Sequence, residues 1–149
     1  MSTTDPKCEL LRHMVATVAF RLRVAIAEAP TDFAMFRVGE AARSPDEILA
    51  HVTDLFTGSL HLLKGEFTEL VSKPLPWPLE VERCFGAIRE LDKYLASQSE
   101  LAFPPERLVQ GPVGDALTHV GQIVMLRRLA GCPIREEPYF TTEIVAGSF

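Results

Sequence analysis

The sequence predicts an all-α fold, a bundle of four helices, from three observations. Apolar residues recur three and four positions apart in residues 10–26, which is the spacing of one helix face. The tetrapeptide SPDE at 44–47 combines a capping serine, a first-turn proline and two acids, and therefore indicates the start of a second helix. Residues 111–131, GPVGDALTHVGQIVMLRRLAG, form a largely apolar helix between a glycine-proline turn and a glycine. A helix so apolar is expected to lie inside a bundle.

The first two helices are expected to face the core with one stripe each. The first begins at Asp5-Pro6 and ends before Pro30, and residues 30–43 then cross one end of the bundle. The second helix carries its apolar stripe at Ile48, Val52, Leu55, Phe56, Leu63 and Phe67.

Prolines separate the second helix from the third. The segment SKPLPWPLE at 72–80 is expected to be a loop because proline blocks helix continuation. Trp77 either packs on the bundle end, as favoured, or shapes the mouth of a pocket. A third helix follows from about Pro78 to Ser97 and carries no obvious chemistry. Residues 98–112 form a connection with a short helical turn at 105–109. The tail, residues 132–149, is expected to fold back over the bundle.

Length and charge limit the classes of protein. A chain of 149 residues corresponds to about one domain, here expected to span 1–149, and is long enough to bury a core. Hydrophobic residues make up 47% and charged residues 23%, which is typical of a globular protein. The net charge of −5 argues against nucleic acid as a partner, because binding phosphates needs a basic face.

The sequence indicates a cytoplasmic protein without a membrane partner. No apolar run reaches the roughly 18 residues of a membrane span, and the start, MSTTDPKCEL, lacks the pattern of a secretory signal. Cys8, Cys84 and Cys132 are odd in number and far apart, which favours reduced thiols, most simply buried as small hydrophobic groups. Only Cys132, just past the last helix, is placed to lie near a site.

A polar row interrupts the fourth helix. Asp115, His119 and Gln122 are three and four residues apart and therefore share one face. A buried carboxylate and imidazole are costly unless something satisfies them, and a metal ion would satisfy both. On the second helix His51 lies at the margin of the apolar stripe and is expected to face inward, whereas His13 and His61 are expected at the surface.

His51, Asp115 and His119 therefore form a candidate metal site. A ligand pair at i and i+4 with a third ligand from a facing helix is a common arrangement in bundles, and this set suits Zn²⁺, Ni²⁺, Fe²⁺ or Mn²⁺. The alternative is a hydrogen-bonded polar pair, Asp115 with His119, that only fixes helix packing.

Neighbouring polar residues leave further alternatives. Gln122 is expected to hydrogen-bond a ligand or a histidine nitrogen. Glu47 and Asp54 either hold the His51 imidazole or, as favoured, face water. Arg127 and Arg128 are expected to interact with the dipole of the helix end, with anion binding as the alternative.

Two segments carry a resemblance to a known family. EILAHVTDLF at 47–56, together with DALTHVGQIVMLRRLAGCPI at 115–134, resembles the DinB-like family of metal-binding four-helix bundles, over roughly residues 8–135. The resemblance implies an up-down-down-up order of helices and three histidine ligands, one on the second helix and an HxxxH pair on the fourth. His51 and His119 match two of them, whereas Asp115 departs from the histidine pattern.

The resemblance implies a metal-dependent enzyme acting on a small molecule. Relatives of this kind resemble thiol-dependent S-transferases, which use a low-molecular-weight thiol, or hydrolases. The alternative is a non-catalytic bundle, structural or ligand-binding and with a homodimer left open, whose polar row is only structural. A sensor without turnover cannot be separated from the enzyme by sequence.

Overall fold

The computed structural model describes residues 5–149, and within that range it contains helices and no strand. Four long helices and one single-turn helix are present: α1 Pro6–Ile26, α2 Pro45–Leu63, α3 Trp77–Ser97, α4 Pro105–Leu108 and α5 Gly114–Leu129. A 3-10 turn, Phe33–Met35, lies between α1 and α2, and a π-helical segment, Val109–Val113, joins α4 to α5. The all-α prediction is confirmed.

The four long helices enclose one apolar core. α1 packs against α3 and α5, and α2 packs against the same two helices, so that each long helix has two neighbours. Each contributes fully buried side chains, for example Leu22, Leu49, Ile88 and Ile123. The fold is therefore a helical bundle, as the apolar stripes predict.

Contacts between helix ends show which of the four long helices run parallel and which run antiparallel. Arg12, early in α1, donates to Asp92, late in α3, at 2.9 Å. The Tyr94 hydroxyl, also late in α3, donates to the carbonyl of Leu63 at the end of α2. Arg127, near the end of α5, contacts backbone carbonyls at the end of α1. The expected up-down-down-up order is compatible with these contacts.

Local sequence signals set the helix ends. The Asp5 side chain accepts a hydrogen bond from the backbone N–H of Lys7, and the Glu47 carboxylate accepts one from the N–H of Ser44 at 2.9 Å. At the end of α5, Gly131 adopts a positive φ of 77°. The N–H groups of Gly131 and the next residue return to carbonyls of the last turn, a Schellman arrangement that satisfies them.

The second helix is shorter than its predicted stripe. α2 ends at Leu63, and Phe67 is 85% exposed in the loop 64–76, so its assignment to the core is wrong. The reason is Gly65, whose φ of +80° turns the chain out of the helix. At the far end of this loop α3 begins at Trp77, whose ring packs edge-on against Phe33 as predicted.

One face of α5 is more exposed than its sequence predicts. Leu117 is 38% exposed, Met125 52% and Leu129 58%. The expectation that little of this helix meets water is wrong, because α1 and α2 flank α5 on its inner side only. Within residues 5–149, the exposed side of the helix therefore carries these three apolar side chains among polar ones such as Thr118 and Arg128.

The tail, residues 132–149, packs along α1 without helix or strand. The Tyr139 ring meets Phe20 edge-on at 6.2 Å, and the Arg21 guanidinium lies 3.9 Å from the centre of that ring. At the end of the chain Phe149 packs against the core. The prediction that the tail covers the bundle is confirmed. No helix in the described part of the chain has the length and apolar character needed to cross a membrane.

Candidate metal centre

The structure brings together the three side chains that the sequence singles out. His51 lies on α2, Asp115 in the first turn of α5, and His119 one turn later on α5. The Nε2 atom of His51 is 3.3 Å from Oδ2 of Asp115, and Nε2 of His119 is 3.3 Å from Oδ1 of the same carboxylate. Potential ligand atoms of all three lie within 4.8 Å of one another. Metal binding by this cluster remains a prediction.

The π-helical segment before α5 determines where Asp115 points. Gly111 departs from helical geometry, with φ −101° and ψ −107°, next to Pro112, which has no N–H to donate. A Cβ atom at Gly114 would lie only 2.8 Å from the carbonyl oxygen of Val109. Glycine is therefore required at 114 to bring the chain from the π-helical turn into α5. The predicted glycine-proline turn is a local irregularity in a continuous helical path.

The three candidate ligands differ in how far their side chains are exposed to solvent. The His119 side chain is 10% exposed, that of His51 32% and that of Asp115 47%. The two rings meet edge to face, with centroids 4.7 Å apart. The cluster therefore has an inner side, at His119, and an outer side at which Asp115 reaches solvent.

Gln122 fixes the orientation of His119. Its Oε1 atom lies 2.7 Å from Nδ1 of His119, as the sequence predicts for a residue that supports a histidine. With the amide oxygen facing the ring, Nδ1 carries the proton and Nε2 keeps its lone pair. That nitrogen is the one beside Asp115. Supporting bonds of this kind are usual for histidines that bind metals.

The donor set fits a divalent ion. Two ligands bound at about 2.1 Å, with an angle of about 104° between them, are about 3.3 Å apart. Nε2 of His51 has this separation from Oδ2 of Asp115, and Nε2 of His119 has it from Oδ1, the other oxygen of the same carboxylate. Two nitrogens and one carboxylate also suit the predicted Zn²⁺, Ni²⁺, Fe²⁺ or Mn²⁺. The donor types therefore fit a metal with three protein ligands and further positions open. The three ligand atoms lie within 4.8 Å of one another, so small side-chain rotations would bring them onto one ion.

The same distances fit a carboxylate that accepts hydrogen bonds from two imidazoles. That arrangement needs a proton on Nε2 of both His51 and His119. Since Nδ1 of His119 faces Gln122 as well, the ring must then be doubly protonated, or the Gln122 amide must present its nitrogen instead. A metal bound at Nε2 of His119 requires neither, because that nitrogen then has a lone pair and Nδ1 keeps its proton for Gln122.

Glu47 and Asp54 do not hold the His51 imidazole. Both oxygens of Asp54 accept hydrogen bonds from Ser72, one from its N–H at 2.7 Å and one from its hydroxyl at 2.6 Å. Glu47 accepts from Arg37 at 2.7 Å, and this bond keeps the pKa of Glu47 below its usual value. The expectation that these acids simply face water is wrong, because each fastens a neighbouring loop to α2.

The remaining histidines differ from one another. His13 is exposed, as predicted. His61 is partly buried, so its assignment to the surface is wrong, and its Nδ1 atom has no hydrogen-bond partner within residues 5–149. Neither belongs to the cluster of His51, Asp115 and His119.

Arg127 is a buried structural group. Its guanidinium donates to the carbonyls of Ala25, Ala27 and Cys132 at 2.9, 3.0 and 2.6 Å. An anion site at Arg127 is therefore wrong, because the buried guanidinium donates to these carbonyls through Nε and Nη1. Arg128 is exposed. Cys132 is partly buried just past the C-terminal end of α5, whereas the cluster lies in the first half of that helix.

The third helix carries charges that the sequence analysis missed. Glu80 is fully buried, and Nε of Arg83 donates to it at 2.7 Å. The i,i+3 spacing of these two residues was a signal for this pair. Nothing in the sequence indicates that Glu80 is buried beside the preceding proline loop.

A cavity of about 920 Å³ borders the cluster on its outer side. Its walls are α2, the loop 64–76, the π-helical segment and the start of α5, and His51 and Asp115 lie at its edge. A smaller cavity of about 430 Å³ on the other side is lined by His119 and Gln122. The larger cavity is not predictable from the sequence, because a loop without periodicity forms one wall.

Comparison with known proteins gives no match. No model of a protein family matches the chain, and neither a curated protein nor a solved structure matches it. The likeness of residues 47–56 and 115–134 to the DinB-like family therefore remains a resemblance that those residues alone carry.

Proposed function

We propose that this chain binds a divalent metal ion through His51, Asp115 and His119 and uses it in a metal-dependent reaction on a small molecule. The observation that carries the proposal is the approach of three potential ligand atoms from two helices to within 4.8 Å of one another. The resemblance to the DinB-like family adds the reaction class, a thiol-dependent S-transfer or a hydrolysis.

Three features of the cluster support this proposal. The Gln122 amide directs one imidazole nitrogen toward the shared position. Asp115 supplies negative charge that offsets part of the charge of a divalent ion. The outer side of the cluster opens on the 920 Å³ cavity, which leaves room for a small molecule beside the ion.

An ion held by three protein ligands would have open coordination positions for a water or a thiol. A divalent ion with three protein ligands lowers the pKa of a bound water or thiol and so makes a nucleophile available near neutral pH. The residues of this chain would hold the ion and orient its ligands. Gln122 fixes the His119 ring, and His51 lies at the edge of the cavity, so an ion bound to it would border that cavity.

Location and partners belong to the same proposal. A cytoplasmic protein that acts with a low-molecular-weight thiol is in keeping with three free cysteines, two of them buried. A homodimer could use the exposed apolar side chains of α5, which are Leu117, Met125 and Leu129.

A second candidate function is a non-catalytic bundle in which the polar row only links α2 to α5. The 3.3 Å separations on both sides of the Asp115 carboxylate favour it, since they also suit two hydrogen-bonded imidazoles. Because the Asp115 side chain is about half exposed, at 47%, such pairs stabilise little, roughly 1 kcal/mol or less each.

Metal analysis and thermal unfolding test the first proposal. Protein purified without a nickel column is expected to contain close to one equivalent of a divalent metal. A metal at 100 times its dissociation constant stabilises the fold by about 2.7 kcal/mol, which raises the melting temperature by about 5–10 °C. His119→Ala is expected to abolish this rise, whereas His13→Ala, at an exposed position on α1, keeps it.

The same measurements separate the two candidates. A polar row that is only structural predicts equal melting temperatures with chelator and with added Zn²⁺, Mn²⁺, Ni²⁺ or Fe²⁺. It also predicts that His51→Ala lowers stability to the same extent in chelator and in metal. Either result would overturn the metal proposal.

A further inference from the structure

We infer that the 920 Å³ cavity beside the cluster is a binding site for an uncharged, mainly apolar small molecule, which it holds against the metal position. The inference rests on the proposed function, because it names the class of molecule that the metal would act on. The name "outer groove" is used below for this cavity between α2, the loop 64–76, the π-helical segment and the start of α5.

Size and lining favour a small molecule. Ligand sites usually measure about 300–1,000 Å³ and combine apolar walls with a few polar groups. The outer groove falls in this range, and most of its surface is apolar. Its apolar walls come from three parts of the chain, namely Leu55, Leu62, Leu70, Gly58, Gly111 and Pro112.

Charge decides which small molecules fit. In the described part of the chain no lysine or arginine lines the outer groove, so an anionic ligand finds no cationic side chain there and would meet positive charge only at the proposed ion. Neither of its carboxylates is available, because Asp54 accepts two hydrogen bonds from Ser72 and Asp115 is a ligand of the proposed ion. A cationic ligand therefore finds no free carboxylate, and an uncharged molecule matches the groove best.

The loop 64–76 is fixed as a wall of the groove. The two hydrogen bonds from Ser72 to Asp54 fasten this loop to the side of α2. Leu70, two residues earlier, contributes to the lining, as does Thr68. The wall thus stands before any ligand arrives, which reduces the ordering cost of binding.

A single glycine keeps the middle of the groove open. A Cβ atom at Gly58 would meet only Leu70 Cδ1, at 3.9 Å, which is ordinary contact. A larger side chain at 58 would extend into the space between α2 and the loop without touching the three candidate ligands. Gly58 therefore offers a way to fill the groove while the cluster stays intact.

Fluorescence titration tests the inference. The probe is N-phenyl-1-naphthylamine, an uncharged apolar dye, and its sulfonated relative 8-anilinonaphthalene-1-sulfonate is the anionic comparison. We expect one saturable site for the uncharged dye and at least about ten-fold weaker binding of the sulfonate. Equal affinity for the two dyes would overturn the assignment of an uncharged ligand.

Substitutions locate the dye. Gly58→Leu is expected to weaken binding of the uncharged dye at least about ten-fold. Gly86→Leu, at a helical glycine on α3 where a Cβ meets no atom within 4 Å, is the matched control. Leu62→Glu, at a groove position already 38% exposed, is expected to weaken binding similarly, in contrast to Leu79→Glu at an exposed position of α3. Unchanged binding in both groove variants would overturn the inference.

Zinc-induced melting shifts, measured on the same variants, separate this inference from the proposed function. If Gly58→Leu weakens dye binding but Zn²⁺ does not change the melting temperature of the wild-type protein, the binding site in the outer groove is supported and the metal proposal is wrong. If Zn²⁺ raises the melting temperature of the wild type but not of His119→Ala, and Gly58→Leu leaves the affinity for the dye unchanged, the metal proposal is supported and the inference about the outer groove is wrong.

Discussion

The amide oxygen of Gln122 lies 2.7 Å from Nδ1 of His119, one turn further along α5. This bond leaves the other ring nitrogen, Nε2, free on the side of Asp115. A residue that contacts no metal itself therefore decides which nitrogen of His119 is presented to the cluster.

Replacing this supporting residue is expected to weaken metal binding. Gln122→Leu removes the acceptor for the Nδ1 proton, and loss of such a bond lowers metal affinity about 10- to 100-fold. Competition with a zinc-sensitive dye measures the change. Gln98→Leu, at the C-cap of α3, is the control and is expected to leave affinity unchanged. Equal affinities of the two variants would contradict a supporting role for Gln122.

Asp115→His is expected to strengthen binding of Zn²⁺ and Ni²⁺ relative to Mn²⁺. The substitution replaces the oxygen ligand with nitrogen and restores the three-histidine pattern of the DinB-like resemblance, and imidazole suits Zn²⁺ and Ni²⁺ better than Mn²⁺. Titrations of both proteins with the three ions measure the ratios. A non-catalytic polar row predicts instead that the extra imidazole confers no metal affinity on the fold.

Arg127 is expected to be among the most costly side chains to shorten. Arg127→Met leaves the buried carbonyl of Ala25 without its donor, and an unsatisfied buried group costs about 1–3 kcal/mol, whereas the carbonyls of Ala27 and Cys132 are partly accessible to water. We expect a loss of about 2 kcal/mol in the free energy of unfolding, measured by urea denaturation. Arg128→Met, on the exposed side, is expected to change it by about 0.5 kcal/mol or less.

Glu80 offers a similar test on α3. Glu80→Gln removes the charge that faces Arg83 in a fully buried position; because the Arg83 side chain is itself 32% exposed and stays solvated, we expect a loss of about 1–3 kcal/mol. The exposed Glu82→Gln is the matched control, expected to change stability by about 0.5 kcal/mol or less. A small effect of Glu80→Gln would show that the pair adds nothing to stability.

The buried thiol of Cys84 predicts a loss of stability at alkaline pH. Burial raises the pKa of Cys84 from 9.0 to about 12 in the folded chain. Above about pH 9 the unfolded chain loses the thiol proton while the folded chain keeps it, so the free energy of unfolding falls as pH rises. Between pH 8 and pH 10 this amounts to about 1 kcal/mol.

Cys84→Ala provides the comparison. Its own stability is lower at every pH because it leaves a cavity, but the part of the pH dependence that comes from the thiol is absent. The difference in free energy between wild type and variant is therefore expected to shrink from pH 8 to pH 10. A difference that stays constant would mean that Cys84 ionises equally in both states.

Sequence predicts well those features that a few neighbouring residues determine. Asp5, the SPDE segment at 44–47 and Gly131 mark helix ends through bonds within one turn, and each end lies where these signals place it. The approach of His51 to His119 was also predictable, because inward faces of packed helices must meet.

Sequence predicts poorly those features that depend on partners far along the chain. Asp54 looks like a solvated acid until the loop brings Ser72 against it, and Arg127 looks like a surface cation until the end of α1 surrounds it. The exposure of Met125 likewise depends on how many helices surround α5. Periodicity shows that a face is apolar but does not show what covers it.

The absence of a side chain at Gly114 allows the π-helical turn that positions Asp115 in the cluster. Any side chain there would collide with the Val109 carbonyl and favour an ordinary α-helical turn in place of the wider π-helical one. Removing one residue from that segment would turn the rest of the helix by about 100°, since each residue advances an α-helix by that angle. The carboxylate of Asp115 would swing away from His51, so that a single-residue deletion well outside the three ligands would dismantle their meeting point.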